Sequence, residues 1–167
     1  IKSAINENNP DKFEELRGKL VKYEEISDRI EYEIAAFLNA VSASGISEDT
    51  SIKIKAMYKI IGELESLGDS GEAISRILSR RNTHKKTFYL ETIKKLENMV
   101  ECVDNAYDAM ITNLDIAHKG SLIEISNAYN AEDRINSLRN LLRDSEIEEI
   151  EVNKKNYQTS VYYMDIV

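Results

Sequence analysis

Residues 93–117, IKKLENMVECVDNAYDAMITNLDIA, decide the fold class. Apolar side chains fall at Ile93, Leu96, Val100, Val103, Tyr107, Met110, Leu114 and Ala117, in unbroken steps of three and four. That rhythm puts them on one face of an α-helix and on no single face of a strand. Upstream, Phe13, Leu16, Leu20, Tyr23, Ser27, Ile30, Ile34, Phe37 and Val41 keep the same spacing, with Ser27 as the one polar interruption. Met57, Ile60, Leu64, Leu67, Gly71, Ile74 and Leu78 form a third stripe. Alternating segments of strand length are absent, so the chain reads as all-α.

Start and stop signals divide these stripes into helices. Pro10-Asp11 suits a first turn, Ser42-Ala43-Ser44-Gly45 a helix end, and Ser47-Glu48-Asp49 the next start. Asn82-Thr83 and Gly120-Ser121 mark two further breaks, and the apolar rhythm weakens between Arg143 and Asn156. The expected helices are 11–42, 48–80, 84–118, 121–145 and 150–167. Joined by short connections, they should pack antiparallel as a bundle.

Composition narrows the function. The 167 residues suit one domain, large enough to bury about 70% of the unfolded surface without a staple. Only six Gly and one Pro stand against 42% hydrophobic residues, which excludes collagen-like and disordered classes. Thirty acids against 22 bases give a net charge of −8, the wrong sign for a phosphate-backbone binder, so no nucleic-acid partner is expected. A lone cysteine, Cys102, cannot close an internal disulfide and fits a reducing compartment.

Catalytic patterns are thin. His84 and His118 both fall at expected helix ends, where a histidine usually serves the cap or the dipole. Asp115-x-x-His118 is a single copy of a turn that di-iron bundles need twice. Phosphate-binding glycine loops and nucleophilic signatures are missing, so the chain is not read as an enzyme.

Paired carboxylates are the richer feature. Glu24 and Asp28 stand one helical turn apart, with Glu31 next on the same face; Glu65 and Asp69 repeat the spacing, with Glu72 continuing it. Like charges so placed repel unless a cation offsets them, and hard cations, iron and zinc take oxygen ligands of this kind. Glu7/Asp11 and Asp104/Asp108 share the i, i+4 spacing. Gly62, Gly68 and Gly71 interrupt the second acidic helix, marking either a close helix crossing or room for a ligand. A basic cluster, Arg76, Arg80, Arg81, Lys85 and Lys86, fits either a dipole-complementing helix junction or an anionic surface.

An internal repeat is also visible. Asp28-Arg29-Ile30 recurs as Asp133-Arg134-Ile135, and Met57-Tyr58-Lys59-Ile60-Ile61 aligns with Tyr162-Tyr163-Met164-Asp165-Ile166, both at an offset of 105 residues. This divides the chain into residues 1–82, a first three-helix repeat lacking its first helix, and 83–167, a second whose last helix is cut short.

Tyr58-Lys59-Ile60-Ile61-Gly62-Glu63-Leu64-Glu65-Ser66-Leu67-Gly68-Asp69 resembles the signature helix of PhoU domains, with its Leu-Glu-x-x-Gly-Asp segment. The acidic helix carrying Glu24, Asp28 and Glu31 resembles that segment's partner. Pairs of three-helix repeats holding metal clusters are what this resemblance implies. Carried over, it implies Glu24, Asp28, Glu65 and Asp69 as ligands, with Glu31 and Glu72 as further candidates, and iron or zinc as the metal. Ser66 replaces the family's usual Arg, Ser70-Gly71-Glu72 replaces a His-containing segment, and the second repeat carries Tyr129 and Asn136 in place of Glu24 and Glu31.

The start at Ile1 inside a repeat makes the chain similar to the C-terminal soluble region of bacterial sodium/phosphate cotransporters. That implies a regulatory domain at the cytoplasmic face of the inner membrane. Its partners would be the membrane portion of the same chain and, as a homodimer, a second copy. The alternatives are a free-standing phosphate-uptake regulator of this family and a spectrin-like structural repeat. The absence of Trp argues against the second.

Overall fold

The computed structural model describes residues 1–120, 124–153 and 156–167. Six helices and no strand occur among them: α1 (Lys2–Ile5), α2 (Pro10–Ala43), α3 (Glu48–Thr83), α4 (Leu90–His118), α5 (Ser126–Asn153) and α6 (Tyr157–Ile166). The all-α class read from periodicity is the class observed. None of the described helices is long and apolar enough to cross a membrane. The chain forms two compact units, Glu7–Arg76 with Ile1 and Ser3, and Ile77–Val167 with Lys2 and Ala4–Asn6. The division falls inside α3, six residues before the repeat boundary expected at 82.

The first unit is an antiparallel hairpin of α2 and most of α3. Asn9 opens α2: its Oδ1 accepts from the backbone N–H of Asp11 at 3.0 Å and Lys12 at 3.2 Å, while Pro10 fills the first helical position at no hydrogen-bond cost. Gly45 turns the chain at φ +79°, and the Ser47 hydroxyl then accepts from Thr50 N–H to open α3. Across the seam the Tyr58 hydroxyl lies 3.0 Å from the Ala35 carbonyl and 2.7 Å from Asn39 Oδ1. Farther along, Glu31 stands beside Gly62 and Ser27 beside Gly68.

That seam follows the apolar stripe only in part. Phe13 and Leu38 are buried on α2, but Tyr23, Ile30 and Phe37 are exposed, as are Met57, Ile60, Leu64 and Leu67 on α3. Two helices cover only the sides they turn to each other, and here those sides mix apolar residues such as Phe13, Leu38 and Ile54 with small and acidic ones. Ser27, the polar interruption in the stripe, meets α3 at Gly68.

The second unit gathers the larger core. Ile77 and Leu78 from the end of α3, Phe88 from the connection, Leu96 and Met99 from α4, Leu142 from α5 and Tyr162 and Tyr163 from α6 are all buried, together with Ala4 and Ile5 of α1. Each large side chain among them contributes about 1.5–3 kcal/mol by leaving water. α4 and α5 run antiparallel. Asn113 and Asn127 exchange amide hydrogen bonds of 2.9 and 3.0 Å, and Lys95 Nζ donates to Ser145 Oγ at 3.2 Å. Asn156 caps α6 by accepting from Thr159 N–H at 3.1 Å. Burial, then the nearby charges of Glu146 and Glu91, push the Tyr163 phenol far above its ordinary range.

Several helix bounds differ from expectation. α4 begins at Leu90 rather than 84 because the preceding residues are fixed by tertiary contacts. Arg81, itself buried, donates from Nη1 to the Ile5 carbonyl at 3.0 Å and from Nε and Nη2 to Asn82 Oδ1, and its guanidinium lies 4.6 Å from the Phe88 ring centroid. His84 Nδ1 hydrogen-bonds the Tyr162 hydroxyl, and Lys85 takes the left-handed conformation at φ +52°. α5 continues through the acidic stretch to Asn153, so the expected break at 143–156 does not begin at 143. The final helix starts at Tyr157 rather than 150, behind its Asn156 cap. The expected start at Ser121 lies outside the described residues.

Candidate metal centre

The acidic residues of interest line the α2–α3 seam, so the antiparallel register decides which of them meet. Ser27 and Gly68 set the approach. A Cβ at position 68 would stand 3.3 Å from both Cβ and Oγ of Ser27 and 4.0 Å from Glu24 Cα. Gly68 is therefore the glycine demanded by close helix contact. A Cβ at Gly62 would reach only Glu31 Oε1, at 4.0 Å, and one at Gly71 only the Ile1 side chain, at 3.8 Å.

With that crossing fixed, Glu24, Asp28 and Asp69 each present a carboxylate oxygen such that all three lie within 4.8 Å of one another. Opposite ligands of one ion stand apart by twice the metal–oxygen distance. With about 2.0–2.6 Å for zinc, magnesium or calcium, such pairs stand about 4–5 Å apart, which is the scale of this group. The donor set is all carboxylate, which suits a hard cation, and the exposure of Asp28 and Asp69 leaves room for water to complete the shell.

Glu65 stands at the edge of this group. Burial and then the charges of Asp69 and Glu31 raise its carboxyl above the ordinary range, with a smaller contribution from Asp28, while Ser66 Oγ donates to its Oε2 at 3.3 Å and works in the opposite sense. Partial burial raises Glu24 as well, reinforced by Asp28, Asp69 and Glu72. Like charges on two helices thus crowd one seam. Glu72 is engaged differently: its Oε2 takes Arg76 Nη1 at 2.8 Å, which gives it a cation of its own.

Among the described residues no other group of three acids, histidines or cysteines converges in this way. Neither His84 nor His118 belongs to the group. Asp133, the counterpart of Asp28 at the repeat offset, instead lines a cleft of about 370 Å³ between α4 and α5 with Asn98, Cys102, Arg134, Ser137 and Leu138. The residue missed by sequence reading is Ser27. Its signal was the single polar position in the α2 stripe, which marks where the two backbones approach. No family model matches the chain, and neither a curated protein nor a solved structure matches it.

Proposed function

We propose that this chain is a non-catalytic regulatory helical domain whose first unit is held by a cation at the α2–α3 seam. More particularly, we propose a PhoU-like domain serving a sodium-dependent phosphate transporter at the cytoplasmic face of the bacterial membrane. One observation carries the reading: Glu24, Asp28 and Asp69, from two helices, bring carboxylate oxygens within 4.8 Å of one another. Support for the finer assignment is the Leu64-Glu65-x-x-Gly68-Asp69 segment, whose Gly68 permits the crossing and whose Asp69 joins the cluster.

In this role Glu24, Asp28 and Asp69 would hold the ion, with Glu65 and Glu31 adjoining. A bound cation supplies the positive charge that lets the two acidic helix faces stay together, and its loss would loosen the hairpin. A domain of this kind couples ion availability to helix packing, and through packing to a partner.

Metal analysis of the purified protein tests the site. Wild-type protein should retain iron or zinc in a fixed ratio through gel filtration. Glu24→Gln/Asp69→Asn should lose it, while the control pair Glu7→Gln/Asp11→Asn keeps it. Equal metal content in both variants would reject the ligand assignment. The transporter assignment is tested on the parent gene, which should encode apolar spans ahead of residue 1; their absence there would remove it.

A further inference from the structure

The connection between α3 and α4 carries the opposite charge from the rest of the chain. From Ala73 to Leu90 there is no Asp or Glu, although the whole chain has a net charge of −8. Within the second unit, Arg80, Lys85 and Lys86 crowd this connection. Arg80 and Lys85 are exposed, Lys86 is half-buried, and none of the three is ion-paired with a described residue. Glu91, the first acid beyond, is held by Lys95 at 3.2 Å.

Beside these cations stand two large apolar side chains that the core does not use. Tyr89 is 62% exposed and Leu90 67%, while Phe88 just before them is 7% exposed. The extended backbone at Tyr89 (φ −68°, ψ 154°) accounts for the alternation: Phe88 turns inward under the Arg81 guanidinium and its neighbour turns out. Arg81 anchored on the Ile5 carbonyl and His84 on the Tyr162 hydroxyl hold the connection in this form. The backbone that carries the exposed side chains is thus tied to the core.

We propose that the α3–α4 connection is a docking tip for an anionic membrane surface, with Arg80, Lys85 and Lys86 against the lipid headgroups and Tyr89 and Leu90 entering the interfacial layer. Charge complementarity selects the partner. Cations on an otherwise acidic chain are attracted to anionic lipid and, with tyrosine beside them, match the composition of membrane–water interfaces. Two clefts of the second unit lie along α4 and α5 around Cys102 and Arg134, and none of the residues of the connection lines them. The inference does not depend on the metal reading, because it uses none of the α2–α3 carboxylates.

Vesicle binding tests it. Wild-type protein should co-sediment at low salt with phosphatidylcholine vesicles containing phosphatidylglycerol, remain free with pure phosphatidylcholine, and release as salt is raised. Each lysine neutralised should lower partitioning about fivefold, so Lys85→Gln/Lys86→Gln should lose about 25-fold. The chain contains no Trp, so Tyr89→Trp introduces a single tryptophan whose emission should shift to the blue on anionic vesicles only. Lys53→Gln/Lys55→Gln, which removes the same charge from exposed positions in the first unit, should keep most of the binding. Equal behaviour on neutral and anionic vesicles, unchanged partitioning of the lysine variant, or capture by an acidic peptide with no vesicle binding would each overturn the proposal.

Discussion

A methyl group at position 68 would press on Ser27 at 3.3 Å, whereas one at position 62 would meet only the end of a flexible glutamate at 4.0 Å. The two glycines, six residues apart on one helix, therefore answer oppositely to substitution. Gly62→Ala should raise stability by about 1 kcal/mol, the helix propensity that glycine forfeits. Gly68→Val should lower it by about 1–3 kcal/mol through overpacking; thermal unfolding followed by circular dichroism measures both. Arg81 is a second position where one side chain decides much. It is buried without a carboxylate partner among the described residues, and burial lowers its pKa from an arginine's usual value. Backbone carbonyl, amide oxygen and aromatic face replace the missing counter-charge. Arg81→Ala should cost about 2–4 kcal/mol, from the cavity and the Ile5 carbonyl left unsatisfied. Arg81→Lys should recover only part of this, since a single ammonium cannot serve both Ile5 and Asn82.

At the scale of the helix pair, crowded carboxylates give the α2–α3 hairpin a pH dependence of definite sign. Glu24 and Glu65 have carboxyls raised above their ordinary values, so the folded hairpin prefers them protonated. Their contribution is favourable below the ordinary carboxylate pKa and is lost as pH rises through the raised values. In chelator, the hairpin should therefore melt higher near pH 5 than near neutrality. Glu24→Gln/Glu65→Gln should narrow that difference, and a bound cation should narrow it in the wild type. Differential scanning calorimetry with and without metal reads this directly. The acids themselves were legible in the sequence, because i, i+4 spacing fixes which residues share a helix face. The register was not legible: Glu24 and Asp28 meet Asp69 only because the turn at Gly45 and the contact of Ser27 with Gly68 set the stagger. The apolar stripes announced helices correctly, and that of α4 largely faces inward, but in α2 the stripe is only partly covered, with Tyr23, Ile30 and Phe37 exposed. The start of α4 was equally hidden, for neither Gly nor Pro breaks the pattern between His84 and Tyr89. Contacts from Ile5 and Tyr162, distant in sequence, hold that segment out of the helix.

Across the whole chain, charge is divided rather than spread. Acids converge on the seam of the first unit and crowd residues 144–151 of the second, while the stretch from Ala73 to Leu90 has none. A salt titration should thus act with opposite sign on two properties. Added salt should stabilise the cation-free hairpin by screening repulsion, and weaken vesicle binding by screening attraction. The second unit adds a dependence at the alkaline end. Tyr163 stays protonated well beyond the point where an unfolded phenol ionises, so stability should fall as pH climbs above about 10. The chain has nine tyrosines and no tryptophan, and phenolate absorbance reports each ionisation as it occurs. After a jump to alkaline pH, the exposed rings should ionise at once and Tyr163 only when the core around it opens. The last increment of absorbance is then a clock for unfolding of the second unit, readable without any label.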